Sequence, residues 1–240
     1  MARHSKWAQI KRQKSVADAK RSQRFTQHAK LISMAAQKGI DPAMNPNLRL
    51  AIDKAKADNM PNENIERAIK KGSGALKEGK IIEELYYEAY APGGVALYIQ
   101  ALTDNKNRTA ASVRLLIHEH EGTLATQGSV AFLFEKRAVF FITIESITNR
   151  EELELGLIDC GVTDLEEEDH DLIVSADYMK FAQLKNFLLS QNIPIPQSSI
   201  QLMPKTTVEI SEENKVKLQA LIAALEADED ISEVVTNALL

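Results

Sequence analysis

The stretch Gly72-Ser73-Gly74-Ala75-Leu76-Lys77-Glu78-Gly79 divides the sequence into a helical part and a part that is rich in strands. Before this stretch, apolar residues recur every three to four positions, as they do on the buried face of an α-helix. After it, apolar and polar residues alternate, as they do in half-buried β-strands. The glycines and polar residues of the stretch itself are typical of a linker. The sequence therefore predicts an α+β protein whose first domain is helical.

Three short helices are expected before the linker. The first carries apolar residues at helical spacing and stops at Gly39, and the second is capped by Asn45 with Pro46 at its first position. The third begins at Pro61 and ends at Gly72, because proline is favoured at the start of a helix and glycine at its end. Helices this short, joined by brief loops, are typical of a three-helix bundle.

The segment after the linker predicts a β-hairpin followed by a helix. Residues 84–90 and 95–102 have the composition of strands, and Pro92-Gly93-Gly94 between them is a turn signal. Two strands joined by so short a turn pair antiparallel. Residues 107–121 then predict a helix that stops at Gly122.

From residue 139 the predicted order is β-α-β-β-α-β, which is the ferredoxin-like order. Its elements are 139–144, 150–160, 162–166, 172–175, 178–189 and 200–203. A final helix at 212–227 and a strand at 233–236 do not fit this unit, so we assign them to the domain of the hairpin. The sequence predicts three domains: a basic arm and three-helix bundle (1–77), an α+β middle domain (78–133 plus 205–240), and a ferredoxin-like domain inserted in it (134–204).

Charge is distributed very unevenly along the chain. Residues 1–72 contain 16 bases and 6 acids, a net charge of +10, although the whole chain is at −5 and the remainder is therefore at −15. A cationic arm on an anionic body suits a polyphosphate partner, because neutralising phosphates releases condensed counterions. The first thirty residues hold one acid, Asp18, and these bases: Arg3, Lys6, Lys11, Arg12, Lys14, Lys20, Arg21, Arg24 and Lys30.

Composition argues against a membrane span and against a disulfide framework. The longest apolar stretch, 138–142, is the length of a strand, and Cys160 is the single cysteine. One cysteine suits a reducing compartment, so we expect a cytoplasmic protein. A basic, serine-containing start is also a feature of organellar transit peptides, which is the alternative reading of the arm.

Three motifs resemble phosphate-binding or metal-binding sites, but each is only weak support for such a site. Residues 74–80 match GxxxxGK, but Ile81 cannot supply the hydroxyl that binds Mg²⁺ in a phosphate-binding loop. His118 and His120 are about 200° apart on a helix and cannot share a metal ion. The acidic run Glu166-Glu167-Glu168-Asp169 predicts a solvated turn, with a metal cluster as the minor alternative. We therefore expect no enzyme, no metal and no cofactor.

Two polar segments favour contact with nucleic acid. His4-Ser5-Lys6-Trp7 places the only tryptophan among hydrogen-bond donors, where it can stack on an unpaired base or, alternatively, pack on the bundle. In the segment 103–109, Lys106 and Arg108 stand at a helix N-terminus and oppose its dipole, so an anion is expected beside them. A structural role, with Asp104 or Asn105 as the helix cap, explains part of this segment.

Motifs spread over the first 135 residues together resemble the YebC/PmpR family. The resemblance implies a three-domain α+β protein that is cytoplasmic in bacteria. It also implies gene regulation: some members bind promoter DNA, whereas others, including the mitochondrial translational activator of cytochrome oxidase, act on the ribosome. The matching motifs are Met1-Ala-Arg-His-Ser-Lys-Trp7, Asp41-Pro42, Asn45-Pro46, Ala51-Ile52, Ala55-Lys56, Asn59-Met-Pro61, Asn64-Ile-Glu-Arg-Ala-Ile69, Tyr87-Glu88, Pro92-Gly-Gly94, Thr103-Asp-Asn-Lys-Asn-Arg-Thr-Ala110 and Gly128-Ser-Val130.

These observations predict a non-enzymatic, monomeric, nucleic-acid-binding regulator that acts on ribosomal RNA and relieves stalled translation. The alternatives are a DNA-binding transcriptional regulator and a protein-interaction adaptor whose arm is only a tail. The expected nucleic-acid-binding residues are Arg3, His4, Ser5, Lys6, Trp7, Lys11, Arg12, Lys14, Lys20, Arg21, Arg24, Lys30, Lys70, Lys71, Lys106 and Arg108.

Overall fold

The computed structural model describes residues 21–75, 81–195 and 197–239, which form two compact units. One unit comprises residues 132–206, and the other comprises the described residues before and after it. Each unit contains helices and an antiparallel sheet, so the predicted α+β class is confirmed. The helical bundle and the first sheet share one unit, and their division into two domains stays a prediction. None of the described helices has the length and hydropathy that a membrane span needs.

The described helices and strands follow one another in the order that the sequence predicts, with one added strand, β3. They are α1 (Arg21–Ala36), α2 (Pro46–Ala57), α3 (Asn62–Gly72), β1 (Glu83–Ala91), β2 (Val95–Thr103), α4 (Lys106–Glu119), β3 (Thr123–Leu124), β4 (Phe134–Thr143), α5 (Arg150–Asp159), β5 (Val162–Glu168), β6 (Asp171–Asp177), α6 (Phe181–Ser190), β7 (Gln197–Pro204), α7 (Glu212–Ala227) and β8 (Ile231–Thr236).

The three-helix bundle is held by a small apolar core and a close contact between α1 and α3. As predicted, Asn45 caps α2, because its side chain accepts a hydrogen bond from the Leu48 N–H. The Ser33 hydroxyl of α1 donates to the Ala68 carbonyl of α3 at 2.8 Å. A Cβ on Gly72 would lie 2.1 Å from the Ser33 carbonyl oxygen, so only glycine permits this approach. The buried core consists of Ile32, Ala35, Ala36, Leu48, Ile52, Ala55, Met60, Ile65 and Ala68.

The first sheet has the strand order β3-β1-β2-β8 and is antiparallel throughout. β1 and β2 form the predicted hairpin, in which Gly93 and Gly94 adopt positive φ angles of 83° and 74°. β8 pairs with β2, so the last strand of the chain completes the sheet of the hairpin. Residues of α4 and α7 share one apolar core with alternate residues of these strands, which places both helices on the same face of the sheet.

The second sheet has the strand order β5-β6-β4-β7 and carries α5 and α6 on one face. Its elements follow the β-α-β-β-α-β order. The two helices pack closely, because a Cβ on Gly156 of α5 would lie 2.2 Å from the Phe187 ring of α6. The centre of this core is formed by alternate residues of the two middle strands, such as Phe140 and Val174.

The prediction of a solvated turn at Glu166-Glu167-Glu168-Asp169 was wrong. The three glutamates belong to β5, and only Asp169, with a φ of 53°, lies in the turn that follows. β5 is an edge strand, and charged side chains are tolerated there because one side of the strand reaches water. The Glu167 carboxylate forms an ion pair with Arg150 of α5. Among the described residues no group of side chains is arranged to hold a metal ion.

Other boundaries differ from the prediction for local reasons. β4 begins at Phe134 rather than at Val139, because its residues 134–141 pair with β7 although charged residues interrupt its apolar pattern. The helix predicted from Tyr178 starts as a 3₁₀ turn, and α6 itself begins at Phe181. The two-residue strand β3 was missed, because so short a segment has no period to detect.

Candidate nucleic-acid interface

Nine of the predicted binding residues precede the described part of the chain. They are Arg3, His4, Ser5, Lys6, Trp7, Lys11, Arg12, Lys14 and Lys20. Of the remaining seven, Arg21 begins α1 and Arg24 is half-buried in the same helix. The other five are Lys30, Lys70, Lys71, Lys106 and Arg108, and the structure brings three of them, Lys30, Lys71 and Arg108, to a single cleft.

Lys30 is directed into the protein rather than toward solvent. Its Nζ lies 2.7 Å from the Asp230 carboxylate and donates to the Glu229 carbonyl at 2.8 Å. Its side chain is only 15 % exposed. Lys30 therefore joins α1 of the bundle to the connection between α7 and β8, and its charge is already compensated within the chain.

Asp230 is the centre of this network and is only 5 % exposed. In addition to Lys30, Arg108 donates to its carboxylate from Nε at 3.1 Å and from Nη2 at 2.7 Å, and the Thr109 hydroxyl donates at 2.9 Å. The Thr103 hydroxyl lies 3.2 Å away. Burial alone would raise the pKa of Asp230, but the hydrogen bonds from Lys30, Arg108 and Thr109 outweigh it and lower that pKa to about 2.

The segment 103–109 thus has a structural role in addition to any role in binding. Asn105 is the N-cap of α4, since its side chain accepts from the Arg108 N–H at 3.2 Å. Lys106 lies 2.6 Å from the Glu83 carboxylate, and Arg108 is shared between Asp104 and Asp230. The anion that the sequence predicts beside these two bases is therefore supplied by carboxylates of the chain itself.

The cleft beside this network has a volume of about 560 Å³ and a slight excess of acidic over basic side chains. It contains three bases and four acids, so it is not a cationic cage for a phosphate. Lys71 is the lining base that has no carboxylate partner among the described residues. The lining residues are Lys30, Lys71, Ile82, Asp104, Arg108, Ser112, Asp228, Glu229 and Asp230.

Exposed bases without a carboxylate partner in the described ranges are concentrated on the bundle. Lys70 and Lys71 lie in the last turn of α3, where a cation is favoured by the helix dipole. Lys38, Arg49 and Lys56 are also exposed and have no such partner among these residues. Bases of the other elements are more often paired, as Arg137, Arg150, Lys215 and Lys217 are.

The described part of the bundle therefore remains cationic at its surface. Residues 21–75 contain ten bases and five acids. Lys38, Arg49 and Lys56 are not among the predicted binding residues, although Arg49 and Lys56 are seven residues apart and so share one face of α2. Asp230 is not among them either, because nothing local to that residue indicates partners more than 100 positions away.

The fold and the charge distribution define an α+β protein with a cationic helical N-terminal part. Residues 5–75 match the family model for the N-terminal domain of the TACO1/YebC protein, and residues 82–238 match the model for the TACO1/YebC second and third domain. The chain therefore belongs to the TACO1/YebC family, and the resemblance found in its motifs is confirmed.

Relatives match over nearly the full chain. A probable transcriptional regulatory protein of Listeria monocytogenes is 41 % identical over 99 % of this chain and 99 % of its own length. One of Thermosipho melanesiensis is 44 % identical over 99 % of this chain and 93 % of its own. The crystal structure of a conserved hypothetical protein from Aquifex aeolicus has a TM-score of 0.78 at 39 % identity, covering 92 % of this chain and 91 % of that one.

Proposed function

We propose that this protein is a non-enzymatic regulator of gene expression that binds nucleic acid, and that it acts on promoter DNA. The observation that carries the proposal is the cationic bundle surface, which continues the cationic arm of the sequence. Relatives that are about 40 % identical over the whole chain are named probable transcriptional regulatory proteins. Those names favour the transcriptional alternative over the ribosomal function that we expected first.

In the proposed mechanism, cations of the arm and of the bundle neutralise backbone phosphates. Lys70 and Lys71 at the end of α3 are exposed for this purpose, whereas Lys30, Lys106 and Arg108 hold carboxylates of the chain. Neutralised phosphates release counterions, which makes the affinity strongly dependent on salt. The acidic remainder is repelled by the phosphates and orients the protein on the duplex.

The connection between α2 and α3 supports duplex DNA as the target. It consists of residues 58–61, which is close to the length found in helix-turn-helix motifs, and Asn59 adopts a φ of 60° within it. α3 presents Asn62, Arg67 and Lys70 at its exposed surface. Amide and guanidinium groups on an exposed helix are the side chains that read base edges in a major groove.

Ribosomal RNA is the second candidate, in which the protein acts as a translation factor that relieves stalling. Trp7 favours this candidate, because an indole among cations is suited to stack on an unpaired base. Duplex DNA offers few such bases, since they are already stacked. The two candidate functions therefore predict different effects of a Trp7 substitution on the affinity for nucleic acid.

We expect Trp7→Ala to leave the affinity for duplex promoter DNA nearly unchanged. If RNA is the target, the same substitution should weaken binding to a structured RNA by about 1 to 3 kcal/mol, since a stacked base is lost. Fluorescence anisotropy with the full-length protein at physiological salt measures both affinities, and Trp7→Phe is the matched control that keeps an aromatic ring. Absence of any specific promoter footprint, together with ribosome co-sedimentation that Trp7→Ala weakens, would contradict the promoter proposal.

We also propose the three-domain organisation 1–77, 78–133 plus 205–240, and 134–204. The descriptions of the two family models, an N-terminal domain and a second and third domain, support it. The compact unit 132–206 supports the inserted domain. The proposal further includes a monomer in the cytoplasm, where the buried thiol of Cys160 stays reduced.

A fragment of residues 134–204 is expected to fold alone, and a fragment of residues 78–133 is not. The first contains a complete sheet with both of its helices. The second lacks β8, the neighbour of β2, and the leucines of α7 that fill the core of the first sheet. Circular dichroism melts test this, and a cooperative transition from the 78–133 fragment would refute the insertion.

A further inference from the structure

The outer edge of β1 is paired over only part of its length. β3 pairs with β1 at Ala89 and Tyr90, and the Ala125 N–H donates to the Glu88 carbonyl at 2.7 Å. For residues 84–87 no backbone partner on this edge occurs in the described ranges. Unpaired N–H and C=O groups on a strand edge are a template for another strand.

Glu88 explains why the chain leaves this edge. Its carboxylate accepts hydrogen bonds from the backbone N–H groups of Gly128 and Val130 at 2.6 Å and of Ala131 at 2.9 Å. Burial raises the pKa of Glu88, but these three hydrogen bonds outweigh it and lower that pKa. The carboxylate therefore draws the segment 128–131 to itself, and β3 ends before it can cover the first half of β1.

A cavity of about 400 Å³ lies along the uncovered edge. Backbone groups of a strand point alternately to its two sides, and the Glu88 carbonyl points toward β3. The N–H and C=O groups of Glu84 and Tyr86 therefore point to the same side of β1 as the Glu88 carbonyl, where the cavity lies. The lining residues are Glu84, Leu85, Tyr86, Tyr87, Glu88, Leu124, Ala125 and Gln127.

The side chains around the cavity can bind a cation on the face of β1 that carries Tyr86 and an apolar group on the face that carries Leu85. Tyr86 is 42 % exposed, stacks on Tyr98 with ring centroids 5.3 Å apart, and donates from its hydroxyl to the Glu84 carboxylate at 2.8 Å. Glu84 has no cationic partner among the described residues. The Glu84 carboxylate accepts hydrogen bonds from Tyr86 and Gln100, and both of these partners are neutral. An aromatic ring beside a carboxylate whose charge is not paired is a suitable site for a Lys or Arg side chain, whereas Leu85 and Leu124 offer an apolar surface.

We propose that this edge binds an extended segment of a partner protein in which Lys or Arg alternates with apolar residues. The segment adds a strand beside residues 84–87, which gives main-chain hydrogen bonds, while its alternate side chains contact the Tyr86 face and the Leu85 face. The charge of Glu84 on this edge selects a basic segment over an acidic one. The site is separate from the bundle cations and does not depend on the proposed binding of nucleic acid.

The test uses the full-length protein and a capped peptide, Lys-Val-Arg-Val-Lys-Val-Arg, with affinity measured by calorimetry. N-methylation of alternate peptide bonds keeps every charge but removes strand pairing, and we expect it to weaken binding by at least about tenfold. Glu84→Gln keeps an acceptor for Tyr86 and should weaken binding about threefold. Glu119→Gln, the same change at an exposed site on α4, is the matched control and should have no effect.

Each other outcome is decisive. If the N-methylated peptide binds as tightly as the unmethylated one, only the acidic surface attracts the peptide. If Glu84→Gln and Glu119→Gln weaken binding equally, the same conclusion follows. Either result overturns the proposal. Tighter binding by a protein without residues 2–20 would show that the chain's own arm occupies the edge and would overturn the assignment to a partner. Unchanged binding by that protein supports the partner.

Discussion

Asp230→Asn should lower the free energy of unfolding by about 3 kcal/mol or more, the loss expected when one partner of a buried ion pair is removed. The substitution keeps the size of the side chain but leaves Lys30 and Arg108 without their shared carboxylate. Because Asp230 is hydrogen-bonded from α1, from Arg108 and Thr109 of α4, and from the end of β2, three elements lose a common anchor. Chemical denaturation of the full-length protein, followed by circular dichroism, measures the loss.

The same carboxylate makes stability depend on pH in the acid range. The pKa of Asp230 is lowered from 3.8 to about 2 in the folded protein, so its contribution is complete above the unfolded pKa and is lost as pH falls toward 2. A shift of this size corresponds to roughly 2 kcal/mol. The wild-type protein should therefore lose stability between about pH 4 and pH 2 more steeply than the Asp230→Asn variant does.

Glu229→Gln is the matched control, because Glu229 is the neighbouring acid, is exposed, and uses its carbonyl rather than its carboxylate to hold Lys30. It should change the free energy of unfolding by no more than about 0.5 kcal/mol. Lys30→Met should cost about 2 kcal/mol, less than Asp230→Asn, because Arg108 still holds the carboxylate. Equal stability of Asp230→Asn and Glu229→Gln would show that the network contributes nothing.

The sequence predicts the elements of this fold well because most of them carry strong local signals. Asn45 before Pro46 specifies the start of α2, and glycine pairs specify the turn of the hairpin. Weak local signals account for the errors. Charged residues hide the first half of β4, and an acidic edge strand is indistinguishable from a solvated turn without knowledge of its neighbour β6.

The candidate site was harder to predict because its geometry depends on contacts between distant residues. Lys106 and Arg108 at a helix N-terminus indicate that an anion lies nearby, but no pattern identifies Asp230, which is 122 positions away from Arg108. The role predicted for Lys30 fails for the same reason, because its partner Asp230 is also distant in the sequence. Its position in a cationic segment suggests phosphate contact, whereas the fold uses it inside the protein.

The bases of the predicted interface fall into two classes, those that pair with carboxylates of the chain and those that are expected to bind phosphates. Bases such as Lys30 and Arg108 stabilise the unit, so their loss should appear in unfolding experiments. Lys70 and Lys71 have no carboxylate partner among the described residues, so their loss should appear in the salt dependence of binding. We expect the same of the arm bases that precede α1. A Lys30→Met variant that remains folded should therefore keep the salt dependence of the wild-type protein.

Deletion of residues 2–20 should flatten the plot of log K against log salt for duplex DNA, where K is the association constant. The deletion ends before α1 and removes Arg3, Lys6, Lys11, Arg12, Lys14 and Lys20. Each phosphate contact contributes about 0.9 to the slope, so six contacts would change it by about 5. Phosphate contacts do not depend on the DNA sequence, so the deletion should lower the affinity for specific and non-specific duplexes by the same factor.

Fluorescence anisotropy over about 50 to 200 mM salt measures the slope, since contacts of this number change the affinity by roughly a thousandfold over that range. A full-length variant in which the six bases are replaced by glutamine separates charge from chain length and should behave as the deletion does. Neutralising Lys136, Lys185 and Lys205, which lie in the unit of residues 132–206, is the control for net charge and should leave the slope unchanged. If the deletion leaves both slope and affinity as they are in the wild-type protein, the arm does not bind phosphates, and the adaptor alternative replaces the proposed regulator.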